Sequence, residues 1–317
     1  MFTQCSLDII IVNWNSGKQL RQALLSIVST NKDGFVLNRV VVVDNASWDN
    51  SLEELEGIGL PLTVIRNREN RGFAAACNQG AKGSKADYLL FLNPDTRLFM
   101  NSLVKPIEFM QQPENANFGI CGIQLVDENG NVNRHCCYFP LPKHFFSKIL
   151  GLNLLFPRRF PTYFMAGWNH AGNREVEHVI GAFYLVRCSV FISLDGFDER
   201  FFVYLEDLDF SYRAYQANWS SYYLADAQAF HKGGGTSEQV KAIRLFYSLY
   251  SRILYVYKHF PWLIATSLML ATLLIEPLVR VGGSISSRST LQLQETLEGS
   301  AKLWWALTQR TLKKKVY

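Results

Sequence analysis

Asp95 stands one residue beyond Pro94 in the tetrapeptide Asn93-Pro94-Asp95-Thr96, directly after the apolar run Tyr88–Leu92. That run reads as a buried strand of a parallel sheet, and proline cannot continue a central ladder. Asp95 therefore falls just past the carboxyl end of a strand, the edge at which open α/β sheets bind ligands. A carboxylate there can hold a divalent cation against a diphosphate, with Asn93 as a neutral oxygen donor beside it. The same four residues also make a turn that caps the following element. A second acidic group lies in Gly196–Ala214, GFDERFFVYLEDLDFSYRA, where a helix is expected from about Leu205. Glu206, Asp209 and Arg213 share one face of it by i+3 and i+4 spacing, and Asp207 points elsewhere. Acidic residues also suit any helix amino terminus, because they complement its dipole. His231 opens His231-Lys232-Gly233-Gly234-Gly235-Thr236-Ser237 after the strand-like Tyr222–Phe230. A lone histidine is ordinarily structural. The glycines beside it change the weighting, because they let backbone amides approach an anion or let the loop swing.

The elements that must position these residues alternate. Leu7–Val12 is a β-branched run that ends in Asn13-Trp14-Asn15-Ser16-Gly17, and Lys18–Thr30 has helical apolar spacing at 20, 24, 27 and 28. Arg39–Val43 reads as a second strand that ends in Asp44-Asn45-Ala46-Ser47, Ser51–Glu56 as a short helix and Leu62–Ile65 as a third strand. Phe73–Ala81 is helical in pattern and leads into Tyr88–Leu92. Over roughly the first 100 residues this alternation argues for a parallel, doubly wound sheet. Right-handed crossovers put strand carboxyl ends on one edge, so Asn13, Asp44, Asn93 and Asp95 converge although they are distant in sequence. Phe118–Val126 and Val176–Val186 read as further strands, with the aromatic, proline-containing stretch Tyr138–Trp168 between them as an expected loop or lid. Its Pro157-Arg158-Arg159 suits phosphate, a membrane or simply solvent.

Bulk composition sets limits. The chain of 317 residues is 48% hydrophobic and carries a net charge of +5, enough core for a large domain with an appendage. The mild basicity, pI about 8.8, suits anionic small molecules or acidic lipid, and no nucleic-acid-binding motif is present, so no nucleic-acid partner is expected. Six cysteines at 5, 77, 121, 136, 137 and 188 include no CxxC, which argues for free, mostly buried thiols in a reducing compartment. No basic, apolar, small-residue leader precedes Leu7, so the catalytic part is expected in the cytoplasm. A GxGxxG loop and a P-loop are both missing from the sequence, which argues against a dehydrogenase or an NTPase.

Beyond about residue 240 the α/β pattern stops. Phe246–Tyr257 is aromatic and helical in pattern, and Trp262–Ile275 holds fourteen residues without a charge before Glu276-Pro277. A bilayer span takes about 20 apolar residues, so a helix lying on or shallowly embedded in the interface is the first expectation and a tilted span the second, with a buried core helix third. Trp304-Trp305 and Lys313-Lys314-Lys315 add interfacial aromatics and a basic cluster suited to anionic lipid.

Taken in order, IVNWN (11–15), VVVDNAS (41–47), NRGFAAACNQG (70–80), FLNPDT (91–96), GAFYLVR (181–187), GFDERFF with YLEDLDFSYR (196–213) and HKGGGTS (231–237) resemble the family-2 glycosyltransferases of GT-A fold, in particular their rhamnosyltransferase-like branch. The resemblance covers about 7–240. It implies an α/β GT-A domain over 1–240, with 241–317 as a helical, membrane-associating region. It also implies a nucleotide-sugar donor held near Val12, Asn13, Asn15, Asp44 and Ser47, with Asn70, Gly72, Asn78, Asn93 and Arg213 completing the donor site. Asn93-Pro94-Asp95 takes the place of the family's DXD metal motif, with asparagine in its first position. Asp95 is then the main carboxylate for Mg²⁺ or Mn²⁺, and His231 matches a second metal or diphosphate contact. Asp207 matches the general base, with Glu206 as its partner.

The implied reaction is an inverting, metal-assisted transfer. dTDP-rhamnose is the favoured donor and a UDP-sugar (galactofuranose or a hexose) the other. The implied acceptor is a lipid-linked glycan or polysaccharide in cell-surface polysaccharide synthesis, at the cytoplasmic face of the plasma membrane. Two rival readings are a sugar-phosphate nucleotidylyltransferase, which calls for a basic, glycine-rich loop after the first strand where IVNWNSG stands, and a non-catalytic sugar- or lipid-binding module, which has no need of Asp95 and Asp207 together.

Overall fold

The computed structural model of the chain describes residues 4–233 and 241–314, with side chains up to residue 309. Gly234–Ser237 of the glycine loop and the Lys313–Lys315 side chains therefore lie outside the described residues.

In chain order the elements begin β1 Cys5–Asn13, α1 Lys18–Val28, β2 Phe35–Asp44, β3 Leu62–Arg66, α2 Phe73–Ala81, β4 Tyr88–Leu92, β5 Thr96–Leu98, α3 Val104–Gln111 and β6 Phe118–Val126. They continue with α4 Pro142–Ile149, α5 Leu152–Leu155, β7 Arg174–Val176, β8 Phe183–Arg187, α6 Cys188–Ser193, α7 Glu206–Gln216 and β9 Ser220–His231. Four helices close the chain: α8 Lys241–His259, α9 Trp262–Leu274, α10 Glu276–Ser286 and α11 Thr290–Lys314.

One sheet runs β3-β2-β1-β4-β8-β6-β9-β5, with β7 paired to β9. The first four strands in that order are mutually parallel, as the alternation predicts. Beyond β4 the sheet is mixed. β8 runs antiparallel between β4 and β6, and β9 is parallel to β6 but antiparallel to β5. Successive β1 residues alternate between two cores, with Ile9 and Ile11 packing on the side of α1 and α3, and Ile10 and Val12 on the side of α2 and α7. Both faces are covered, which is why β4 and β6 are buried at every position. Each such Leu, Ile or Phe contributes about 1.5–3 kcal/mol relative to an exposed one.

Four local expectations change. The second strand extends to Phe35–Asp44, and Ser51–Glu56 gives only a single 3₁₀ turn at Asn50–Leu52. Val176–Val186 is not one strand: it breaks into β7 and β8 around a loop at 177–182. The apolar stretch after Trp262 continues through Pro277, which sits in the first turn of α10 where its missing N–H costs nothing. Together α9 and α10 cover 25 residues, Trp262–Ser286, rather than fourteen. Five of the six cysteines are buried free thiols and Cys5 is partly buried.

The chain forms two compact units that do not divide at a single cut near residue 240. The first comprises residues 1–139, 164–202 and 206–236; the second gathers 140–163, 203–205 and 237–317. Most of the Tyr138–Trp168 insert is thus part of the helical unit, in which α4 packs on α9.

Candidate active site

The carboxyl ends of β1, β2 and β4 lie side by side, because Asn13 pairs with Asp44 and Ile11 with Leu92. Around the first two, Asn13 Nδ2 donates to Asp44 Oδ1 at 2.7 Å, Ser51 Oγ at 2.8 Å and Ser47 Oγ at 3.0 Å. The Ser47 amide donates to Asp44 Oδ2 at 3.2 Å, and the Asn15 amide to Ser47 Oγ at 2.9 Å. Asn13 and Asp44 are buried, as is Val12, so their side chains fix the two loops from beneath. Asn15 and Ala46 at the tips adopt left-handed backbone (φ 50° and 60°), which the short polar Asn15 tolerates well and alanine less so. Ser47 and Asn15 are the more accessible members.

Gly72 links this edge to the segment before α7. Its carbonyl accepts from Asn45 Nδ2 at 3.0 Å, and Asn70 Oδ1 accepts from its amide at 2.9 Å. Its φ is +88°, and a Cβ would stand 2.6 Å from the Phe202 carbonyl oxygen, so only glycine fits.

Two of the expected donor contacts have other roles. Asn78 exchanges both ends of its amide with the Phe197 backbone (2.8 and 2.9 Å) and holds the GFDER segment onto α2. Each nitrogen of the Arg213 guanidinium is engaged, by Asp209 at 2.9 Å and by the carbonyls of Leu194 and Gly196 at 2.6 and 2.8 Å, which locks α7 to the turn after α6. Both position the acidic segment instead of presenting a free group to a donor.

At the end of β4, Asn93 and Asp95 occupy a tight turn in which the Thr96 amide donates to the Asn93 carbonyl at 3.1 Å. Thr96 opens β5 opposite His231, the last residue of β9. That register sets His231 Nε2 3.4 Å from Asp95 Oδ1, both side chains about one-tenth exposed. Among the described residues no group of three or more His, Cys, Asp and Glu side chains is assembled. A carboxylate paired with an imidazole still fits a hard divalent cation whose other positions are filled by diphosphate oxygens and water.

The dipeptide Gly181-Ala182, just before β8, joins the two acidic segments. The Ala182 carbonyl accepts from the Asn93 amide at 3.0 Å and from Thr96 Oγ1 at 3.3 Å. One residue earlier, the Gly181 amide donates to Asp207 Oδ2 at 2.7 Å. Asp207 Oδ1 accepts from the Leu208 amide at 2.8 Å, and its side chain is 17% exposed, the one carboxylate in α7's first turn within reach of solvent. His178 Nε2 lies 3.8 Å from Asp207 Oδ2. Burial pushes the His178 pKa down against the pull of Asp207, so the ring is neutral. Its Nδ1 bonds Ser211 Oγ at 2.9 Å, which in turn meets Tyr184 Oη at 2.7 Å. A Cβ on Gly181 would come within 3.2 Å of Asp207 Oδ2, so Gly181→Ala displaces that carboxylate by a few tenths of an ångström. On the expectation that Asp207 is the general base, turnover should fall about tenfold with donor affinity unchanged, since misplacement of a reacting group costs rate first. Steady-state kinetics and donor titration check both parts, and an unaltered turnover would mean that Asp207 does not need its present position.

Glu206 differs from its neighbour. It is buried, its Oε2 has no hydrogen-bond partner among the described residues, and burial first, then the charge of Asp207, raises its pKa well above the usual carboxylate range. Two consecutive left-handed residues, Tyr204 and Leu205 (φ 71° and 67°), turn the chain into this position, a strained entry of the kind found at functional sites. A raised folded-state pKa means that the carboxyl is tolerated when neutral and that stability is lost as pH rises above the unfolded value of about 4.3. Glu206→Gln removes that loss. Its melting temperature should exceed that of the native chain near pH 8, with the difference vanishing toward about pH 4. A difference that does not change with pH would show that Glu206 is ionised in the fold.

Sequence reasoning missed Gly181, His178 and the Tyr204-Leu205 turn. Only Gly181 left a signal, as the glycine that opens GAFYLVR.

The model of glycosyl transferase family 2 matches residues 8–181, more than half of the chain, and the chain belongs to that family. It is 26% identical over 243 residues to the N-acetylglucosaminyl-diphospho-decaprenol L-rhamnosyltransferase of Mycobacterium tuberculosis, covering 71% of this chain and 75% of that one. An uncharacterized glycosyltransferase of Haemophilus influenzae is 33% identical over 112 residues, 35% of this chain and 37% of its own length. Among solved structures, the mannosyltransferase PcManGT from Pyrobaculum calidifontis, in complex with GDP-Man and Mn²⁺, superposes with a TM-score of 0.58 at 14% identity, over 96% of this chain and 88% of that one. That likeness establishes the GT-A fold.

Proposed function

We propose that this glycosyltransferase moves rhamnose from dTDP-rhamnose to a hydroxyl of a lipid-linked glycan, with inversion at the anomeric carbon, at the cytoplasmic face of the membrane. The observation that carries the mechanism is the Gly181-Ala182 clamp, which ties the Asp95 turn and the Asp207 carboxylate to adjacent residues. The rhamnose and the lipid-linked acceptor are supported by the mycobacterial relative, whose name specifies both.

Asp207 accepts the proton of the acceptor hydroxyl as its oxygen attacks the anomeric carbon; the new C–O bond forms while the bond to the diphosphate oxygen breaks on the opposite face. The two backbone amides aim the Asp207 carboxylate, while burial pushes the pKa of neighbouring Glu206 up, away from the charged form that would repel it. The loops set by Asn13 and Asp44 shape the donor's nucleoside site, and Asp95 with His231 faces its diphosphate. Mg²⁺ or Mn²⁺, held by Asp95 and His231, would offset the charge that develops on the departing diphosphate.

Membrane attachment is supported by the division of charge. The helical unit carries 15 Lys and Arg against 4 Asp and Glu, whereas the sheet unit carries 17 against 23. Leu154, Trp262 and Leu278 of the helical unit are 80%, 69% and 71% exposed. Trp262–Ser286 is long and apolar enough to cross a bilayer by length and composition. A crossing would however carry the Glu276–Arg280 pair into the hydrocarbon, at a cost of several kcal/mol. A helix pair lying in the interface avoids that cost.

The test is a panel of dTDP-, UDP- and GDP-sugars with membranes as the source of acceptor, monitoring nucleotide diphosphate release. Acceptor-dependent release is expected from dTDP-rhamnose. Release from a UDP-sugar alone would transfer the assignment to that donor, and no release from any would favour a binding module.

A further inference from the structure

The imidazole of His178 stands between two residues of α7 that lie one helical turn apart. Its Nδ1 is 2.9 Å from Ser211 Oγ, and its Nε2 is 3.8 Å from Asp207 Oδ2. Positions i and i+4 share a helix face, so one flat ring can meet both. Its backbone is fixed as well, because the His178 carbonyl accepts from the Cys137 amide at 3.0 Å. The loop at 177–182 therefore brings two groups to the same carboxylate oxygen, the Gly181 amide at 2.7 Å and this ring. The mechanism above uses the amide and gives the ring no task.

What the ring can do depends on which nitrogen carries its single proton. Tyr184 Oη lies 2.7 Å from Ser211 Oγ, which makes a buried chain Tyr184–Ser211–His178 with two self-consistent directions. In one, Nδ1–H donates to Ser211, Ser211 to Tyr184, and Tyr184 to the Asp207 carbonyl at a long 3.5 Å. Nε2 then turns a lone pair toward a carboxylate oxygen, which is repulsive in a buried setting. In the other, Tyr184 donates to Ser211 and Ser211 donates to Nδ1. The proton then sits on Nε2, and the N–H dipole faces Asp207 Oδ2. Only the second direction leaves no lone pairs facing each other.

We propose that His178 is the positioning residue of the general base: Tyr184 and Ser211 hold its ring with the proton on Nε2, and Nε2–H steadies Asp207 Oδ2 beside the Gly181 amide. At 3.8 Å this is a dipole acting on a charge across a buried, weakly screened gap and not a full hydrogen bond. A neutral ring does this without the full positive charge that would weaken a neighbouring carboxylate as a base. The inference rests on the reading of Asp207 as that base.

The experiment uses the fact that glutamine and asparagine reproduce different nitrogens of the ring. The glutamine amide nitrogen reaches where Nε2 stands, and that of asparagine where Nδ1 stands. Turnover of the full-length enzyme with dTDP-rhamnose and membranes is measured for His178→Gln and His178→Asn, together with dTDP affinity and melting temperature. His178→Gln is expected to keep at least about a third of native turnover and His178→Asn to lose about tenfold, with dTDP affinity within about twofold of native in both. The reverse order, or equal losses at equal melting temperatures, would make His178 only an anchor for its loop and overturn the inference. In an Asp207→Asn background the two substitutions should cost nothing further, because the base they serve is gone. A further loss there would also overturn it. Near-native turnover of Asp207→Asn alone would instead remove the reading of the base. Nitrogen-15 NMR reads the tautomer without any substrate, with the His178 signal assigned by its loss in His178→Gln. A proton on Nε2 is expected, and one on Nδ1 would contradict the inference whatever the donor.

Discussion

Asp207→Asn is expected to lower turnover by about 10²–10⁴-fold, the usual worth of a general base, while donor affinity stays within about twofold of the native enzyme. The substitution keeps the shape of the side chain and one acceptor oxygen, so the Gly181 amide at 2.7 Å can remain bonded. What it removes is the ability to take a proton from the acceptor hydroxyl. Glu206→Gln is the matched control. Burial pushes its pKa up, toward the neutral form that the amide imitates, so turnover should stay within about tenfold of native. Turnover and donor titration on both variants decide the matter. A nearly normal Asp207→Asn beside an inactive Glu206→Gln would assign the base to the buried carboxylate instead.

Asp95→Ala should abolish transfer by a different route, through loss of metal-dependent donor binding. Its Oδ1 is 3.4 Å from His231 Nε2, and on the proposed mechanism removal of the carboxylate would leave only the imidazole of that pair to hold the cation. Charge-assisted contacts to a diphosphate are worth about 1.5–3 kcal/mol each, so donor affinity in the presence of Mg²⁺ or Mn²⁺ should drop by about 10–100-fold, and its dependence on the cation should disappear. Calorimetric titration of nucleotide diphosphate with and without the cation is the measurement. Unchanged metal-dependent binding would remove Asp95 from the metal site.

The parts of this arrangement that sequence made legible are those governed by local physics. A five-residue apolar run stopped by Asn-Pro-Asp reads as a buried strand with a carboxylate just past its end, and β4 is buried at every position. The start of α7 was visible to within a residue from its acidic first turn. What was not visible depends on partners distant in the chain. β8 enters the sheet antiparallel between β4 and β6, and nothing in FYLVR distinguishes that direction from a parallel insertion. Val176–Val186 looked continuous because its residues suit strands throughout, whereas the break at 177–182 is set by His178 and Gly181, which meet Asp207. Asn78 and Arg213 have the chemistry of donor ligands, and only the fold shows that they bond the backbone of the GFDER segment and the turn before it, with Asp209 as a further partner of Arg213. The assignment of 140–163 to the helical unit rests on packing against α9, a contact more than a hundred residues away.

The central claim is a division of labour between two carboxylates, with Asp95 on the leaving diphosphate and Asp207 on the acceptor hydroxyl, in one displacement. The anomeric configuration of the product tests it most directly, by nuclear magnetic resonance on glycan made by the native enzyme from a donor of defined configuration. A single displacement gives a product of opposite anomeric configuration to the donor. Retention would contradict the account, since it requires a second displacement or a front-face attack, in neither of which Asp207 serves as the base described here.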